Sequence, residues 1–394
     1  MTDAFETHHL DETKAVDVLS KYRVDVEGWK ATSADAVKAF DWDDGQFYKT
    51  LKRKVWNVFK NTPGKAGPTS AMKGLCFLAL LSFAAAFLTM MHYRNTVSAV
   101  VAGYTLLVAG FGVGHNFFHQ KDSPWRFVFN LTLFDVTDWR ISHALCHHSY
   151  ANLDIDIEAS SIEPWLNFMR NASVNNNRYA VLVLWFVFNF LVGPLGFLNM
   201  WFEVLVTRTI KFRPELLLPV LQLSFLVLTA PASSANVSSS SSSTAFLSSL
   251  LLWLTMHGTS TLLLMVFSTP VHRSTYSWTS GCESVAPPQS DFGLHTVLST
   301  ADYLAGDSAP LFAKLFFFAS FNDHVAHHLF PTVDLSKQAL LRKAFLETCR
   351  EFNVEYRDHG FFRLVEGTVK VLCREKGDLA YCGTSDGRIE KKEQ

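Results

Sequence analysis

Charge is scarce in this chain. Asp, Glu, Lys and Arg make up 18% of its 394 residues, against about a quarter in ordinary soluble domains. The formal net charge is -1, so the basic surface that nucleic-acid binding requires is missing. None of the six cysteines (Cys76, Cys146, Cys282, Cys349, Cys373, Cys382) forms a C-x-x-C pair. Their scatter matches no disulfide framework, and reduced thiols are expected. No secretory signal peptide is expected, because the first 70 residues are polar and charged. Zincin H-E-x-x-H does not occur, and the one Glu-x-x-His spacing, Glu6/His9, lies far from the other histidines. A soluble carboxylate di-iron bundle, which needs two such helices, is thereby excluded.

What is abundant is apolar: 48% of residues are hydrophobic and 34 are Phe. The uncharged blocks Gly74–Met91 and Thr96–Gly114 are each long enough to cross a bilayer core of roughly 30 Å. The short link His92-Tyr93-Arg94-Asn95 makes them a hairpin. Leu216–Ala230 and Ala245–Val271 suggest a second hairpin, and the last block runs 27 residues without a formal charge. Ala180–Phe202 is also apolar, but Gly193-Pro194 interrupts it, so it is expected to lie in the interface or to dip in and out. The fold class expected is all-α and integral to a membrane, with four transmembrane helices (about 74–91, 96–114, 216–230 and 245–271) as two hairpins. A soluble N-terminal segment (1–70) precedes them, and a cytosolic, histidine-rich helical cap (331–394) follows. Basic flanks at Lys49–Lys73 and Arg208–Arg213 place both termini in the cytosol by the positive-inside rule. The serine-rich loop (Ser238–Ser243) then becomes lumenal, with a glycosylation sequon at Asn236-Val237-Ser238.

Eight of the fifteen histidines fall in three short groups: His115-x-x-x-His119, His143-x-x-x-His147-His148 and His324-x-x-His327-His328. On an α-helix, positions i and i+4 share a face. The spacing therefore predicts that His115/His119, His143/His147 and His324/His328 each present two imidazoles to one point. His148 and His327, about one residue's rotation away, could reach a second metal. Eight imidazoles are too many for one ion and suit two. Ligand type alone leaves zinc, copper, iron and nickel open. Each group sits at or beyond the end of an apolar block, so all can gather on one side. Isolated histidines read differently; His257, in mid-block, is expected to hydrogen-bond inside the bundle. Asp154, Asp156 and Glu158 follow the second group, either orienting its imidazoles or forming a solvated acidic loop.

The set H-x(3)-H, H-x(3)-H-H and H-x(2)-H-H resembles the membrane fatty acid desaturases over roughly residues 70–360. The words Gly114-His115-Asn116-Phe117-Phe118-His119 and His327-His328-Leu329-Phe330-Pro331 share that resemblance. Asp138-Trp139-Arg140-Ile141-Ser142-His143, with His147-His148-Ser149-Tyr150-Ala151-Asn152, looks like the cytochrome b5-related desaturase-like proteins of animals. The resemblance implies two iron ions and a lipid acyl substrate, with electrons from cytochrome b5 and its reductase. It also implies a ninth histidine at the end of the last span: His272 by position, with His295 as competitor. Asn322 corresponds to an asparagine that completes such sites through water. The third group begins with His324 where fused front-end desaturases commonly have Gln. Phe5-Glu6-Thr7-His8-His9-Leu10, with a helix to about Tyr22, resembles the latter half of a cytochrome b5 domain (1–25). In that match His9 is the haem-axial counterpart, and haem is expected only with a complete domain. The tail Lys391-Lys392-Glu393-Gln394 fits the di-lysine pattern of endoplasmic-reticulum membrane proteins.

The activity expected is an O2-dependent oxidoreductase that places a double bond in an acyl chain. An acyl or sphingolipid hydroxylase is the nearest rival, because the same oxidant can return oxygen to carbon. A transporter or non-catalytic metal-binding membrane protein would place its ligands at mid-membrane, and these groups lie in polar segments beyond the apolar blocks. A catalytically silent scaffold would carry the same histidines.

Overall fold

A computed structural model describes residues 2–11, 15–17, 20, 39–62, 64–120, 123–160, 166, 168, 178–230, 240–280, 291–356 and 358–374. The expected helix to Tyr22 falls mostly outside these residues, and the sequon, the di-lysine tail, Cys282 and Cys382 fall wholly outside them.

The N-terminal part begins with a short helix, α1 (Thr2–His8). Next comes α2 (Phe47–Phe59), whose Phe47, Leu51, Val55 and Phe59 recur every fourth residue and are all buried. That stripe packs against α12 (Gln338–Glu351) in one core with Leu341 and Phe345. The amphipathic period predicts such one-sided burial.

Among the described residues, four helices are long and apolar enough to cross a membrane: Ser70–Tyr93 (α3), Thr96–Phe118 (α4), Tyr179–Thr207 (α6) and Ser243–His272 in the C-terminal part of α8 (Ser240–His272). The α3–α4 hairpin turns where expected. Arg94 takes a left-handed backbone (φ 46°) that stops α3, and Asn95 with Ser98 forms a capping box that starts α4. The third span differs from expectation. The helix within 216–230 is Leu218–Leu228 (α7), 11 residues after a 3-10 turn at Pro214–Leu217. Those 15 residues rise only about 22 Å, short of the roughly 30 Å needed. The block set aside for its Gly-Pro break is the longer helix instead. Pro194 lies inside it, and Gly193 lets α8 close in, since a Cβ there would stand 2.5 Å from Thr261 Oγ1. Proline is tolerated in membrane helices because neighbours re-satisfy the freed backbone. The second pair is therefore α6 and α8, antiparallel, with Val181 and Trp185 of α6 near Val266 and Phe197 beside Trp253.

α4 and α8 run parallel and touch closely; a Cβ on Gly103 would lie 2.5 Å from the Met256 carbonyl oxygen. This contact brings their C-terminal ends, and so His115 and His272, to the same level. The histidine-bearing layer above is built from a short helical run through Val136–Trp139, Arg140–His147 and His148–Tyr150 (α5), followed later by α9 (Phe292–Ser299), α10 (Leu311–Phe316) and α11 (His324–Leu329). Two two-residue strands, Asp302–Tyr303 and Asp358–His359, pair in parallel. The expected soluble cap is reached only in part. α13 (Phe361–Leu372) rests on α6 and α8, burying Leu364 and Val371 and leaving Phe362 84% exposed.

Candidate metal centre

The local backbone explains how each imidazole is aimed. α4 widens into a π-helix over Leu107–Val113 just before His115. Gly114 follows, where a Cβ would meet the Phe129 backbone at 2.9 Å. In α5 the stretch Arg140–His147 is also π-helical. A π turn brings residues five apart, not four, into line. In α11, Asp302 Oδ1 accepts from Val325 N at 2.8 Å, which fixes the helix that starts at His324.

The structure brings together all nine histidines that the sequence and the resemblance point to, and none is more than 6% exposed. One ring nitrogen each from His115, His119, His143, His148 and His327 lie within 4.8 Å of one another. A second group, to the same limit, is His147, His272 and His328. His324 adjoins it, with ring centroids 4.8 Å from His272 and 4.7 Å from His328. His143 and His147, expected to aim at one point, share a third group with Glu158 to the same limit but fall in different all-histidine groups, where His148 joins His143. The π-helix is the cause. The His115/His119 pairing and the separation of His327 from His328 follow expectation.

His143 Nε2 stands 3.1 Å from both His115 Nε2 and His148 Nε2, and His115 Nε2 is 3.1 Å from His327 Nε2. His147 Nε2 and His272 Nε2 are 3.2 Å apart. Ligand nitrogens about 2.1 Å from one ion and at right angles would be about 3.0 Å apart. The carboxylates decide which nitrogens are free. His143 Nδ1 donates to Glu158 Oε1 at 2.7 Å and His147 Nδ1 to Asp156 Oδ2 at 2.9 Å. The Nε2 atoms of these two rings, when neutral, carry lone pairs and face other imidazoles, an arrangement that a cation between them satisfies. The donor set fits metal binding.

Electrostatics agree. Burial, and then neighbouring imidazoles, hold His119, His148, His324, His327 and His328 well below the usual histidine range, so they are neutral near pH 7 and available as ligands. Burial lowers His143 too, though Glu158 opposes it. For His147 the opposing charges of Asp156 and Glu158 outweigh burial, and the ring is raised. Burial alone would raise the Asp156 carboxyl, but His147 and Arg273 hold it below its ordinary value. Of the two readings of the acidic loop, orientation applies to Asp156 and Glu158, whereas Asp154 is exposed.

His295 is not among the nine. Its Nε2 bonds to Ala151 O at 2.8 Å, and Trp278 and Phe40 flank the ring. Asn322 is fully buried beside α11. Its Nδ2 donates to Leu304 O at 3.2 Å and its Oδ1 makes no protein hydrogen bond. His257 bonds Gln222 Oε1 at 2.9 Å inside the bundle, as expected. His9, just past the end of α1, is exposed and bonds Phe5 O at 2.9 Å. Of the segment compared with half a haem domain, Thr2–His8 folds as a helix against the histidine layer, with His8, not His9, turned inward. Spacing gave no signal for His8, nor for Asn152, whose Nδ2 lies 2.8–2.9 Å from the carbonyls of His272, Trp278 and Ser299 and ties α5 to the end of α8. Phe118, Phe321 and Trp139 pack on His115 and His143 at 5.0–5.7 Å, and Phe111 and Phe129 pack behind them, forming an apolar aromatic wall.

Four helices apolar enough to cross a membrane, with a buried histidine cluster at their ends, define a multi-pass membrane protein whose site could hold metal ions. The chain belongs to the fatty acid desaturase family, whose sequence pattern it matches over residues 73–360. It is also similar to the "Cytochrome b5-related protein" of Drosophila melanogaster, 28% identical over 381 residues, covering 95% of this chain and 80% of that one.

Proposed function

We propose that this protein is a di-iron fatty acyl desaturase of the endoplasmic-reticulum membrane, with both termini in the cytosol. The observation that carries the proposal is the two groups of buried, inward-facing imidazoles beside an aromatic wall at the ends of the spans. His115, His119, His143, His148 and His327 would hold one iron. His147, His272, His324 and His328 would hold the other, with Asn322 Oδ1 reaching it through water. Two irons and dioxygen supply the oxidant that an unactivated methylene requires and no side chain offers.

The chain's own residues do the rest. Asp156 and Glu158 hold His147 and His143 in the tautomer that points Nε2 inward, and keep those rings from swinging. Phe111, Phe118, Phe129, Trp139 and Phe321 exclude water and offer an alkyl chain an apolar surface beside the imidazoles. Position of the acyl chain along that wall would set which carbons lose hydrogen. Electrons are proposed to come from cytochrome b5 and its reductase.

Expression in a desaturase-deficient host, with and without a complete cytochrome b5, tests this by lipid profiling. New acyl chains lighter by two hydrogens are expected. Chains gaining one oxygen would indicate a hydroxylase, and an unchanged profile with the full electron supply would refute the proposal.

A further inference from the structure

α1 brings one more imidazole to the centre. It is held from two sides. Asp3 is buried and accepts from Trp42 Nε1 and from Tyr150 OH, each at 2.9 Å; Tyr150 ends α5, two residues after His148. Glu6 pairs with Lys49 at 2.6 Å, and its carbonyl accepts from Lys52 Nζ at 2.6 Å and from Tyr48 OH at 3.3 Å. Lys49 and Lys52, expected from the sequence to belong to a cytosolic basic flank, are buried in this latch.

Between the two anchors stands His8. Its Nδ1 lies 2.8 Å from Thr7 Oγ1 and 3.1 Å from Ala4 O, and with the ring proton directed at that carbonyl Nε2 carries the lone pair. That Nε2 is buried and, among the described residues, makes no hydrogen bond within 3.5 Å, although the Ala144 carbonyl also acts on the ring. The ring sits 6.2 Å from the ring of His119, and its charge would also act on His327. His119 has the complementary need. A metal-bound histidine donates its other N–H to an acceptor that fixes the ring. His143 and His147 have Glu158 and Asp156 for this, whereas neither ring nitrogen of His119 has a partner.

We infer that His8, delivered by α1, is the outer acceptor for His119 through one bridging water, and positions that imidazole on the five-histidine metal. This rests on the di-iron reading above. The test uses purified full-length protein loaded with iron, and follows iron loss to a water-soluble iron(II) chelator together with the Mössbauer spectrum of the 57Fe-loaded protein. His8→Ala is expected to speed loss of one of the two irons by about 10–100-fold and to shift the spectrum of that iron alone. His8→Gln, which keeps an acceptor, should recover most of the wild-type rate. Asp3→Ala/Glu6→Ala, which frees α1 without touching a histidine, should reproduce His8→Ala. Equal extraction rates and spectra for wild type and His8→Ala would overturn the inference, as would a His8→Gln variant as leaky as His8→Ala, because then only bulk matters. A wild-type protein that holds no iron would instead sink the di-iron reading, and this inference with it.

Discussion

His143 and His148 are five residues apart, yet their Nε2 atoms lie 3.1 Å from each other. The π-helix between them sets this distance and leaves His147 to the other group. Removing His143 or His148 should therefore strip a different iron from removing His147 or His272. Single alanine variants are expected to retain about one iron in two, with desaturation lost and membrane insertion intact. Metal analysis of the purified variants, with product assays beside it, checks both points. His295→Ala serves as control and should keep both irons.

The carboxylate behind His147 is predicted to matter nearly as much as the ligand. Asp156→Asn should weaken iron binding at that position by about 10–100-fold, measurable by chelator competition. Its carboxyl is held below the ordinary range, so its stabilisation is complete above about pH 4 and fades as pH falls further. The Asn variant should accordingly show a flatter acid limb in thermal unfolding.

Asp302 points the other way. Burial, and then Asp323, push its carboxyl up to about 8. The folded state binds this proton more tightly than the unfolded chain does, so between about pH 4 and 8 stability falls as pH rises. Asp302→Asn is neutral throughout and should lose that slope. Melting of both proteins in detergent at pH 5, 6.5 and 8 compares them, and parallel curves would count against the assignment.

Gly103→Ala should force α4 away from α8, because the new methyl would meet the Met256 carbonyl and Thr259. Overpacking of this kind costs about 1–3 kcal/mol. The same two helices carry His115 and His272, so the variant is expected to melt earlier and to lose iron faster than wild type.

Much of the centre was legible in the sequence, because histidine is rare in apolar chains and its spacing survives translation into helix faces. Eight positions followed from clustering, and the resemblance supplied His272, which contact with His147 and His328 separates from His295. The first hairpin was equally legible, since length and absence of charge decide what can cross a bilayer. Gly193-Pro194 misled the third span: a local break signal lost to the packing of α6 on α8, which no local reading sees.

The sequence by itself determined that this is a membrane protein with histidines enough for two metals, because composition and short-range spacing carry that information. Only the tertiary structure decided which imidazole belongs to which group, and that α1 folds back over His119. Those outcomes depend on the pitch of one π turn and on contacts between residues as distant as Asp3 and Tyr150. Neither is a property of any short stretch of chain.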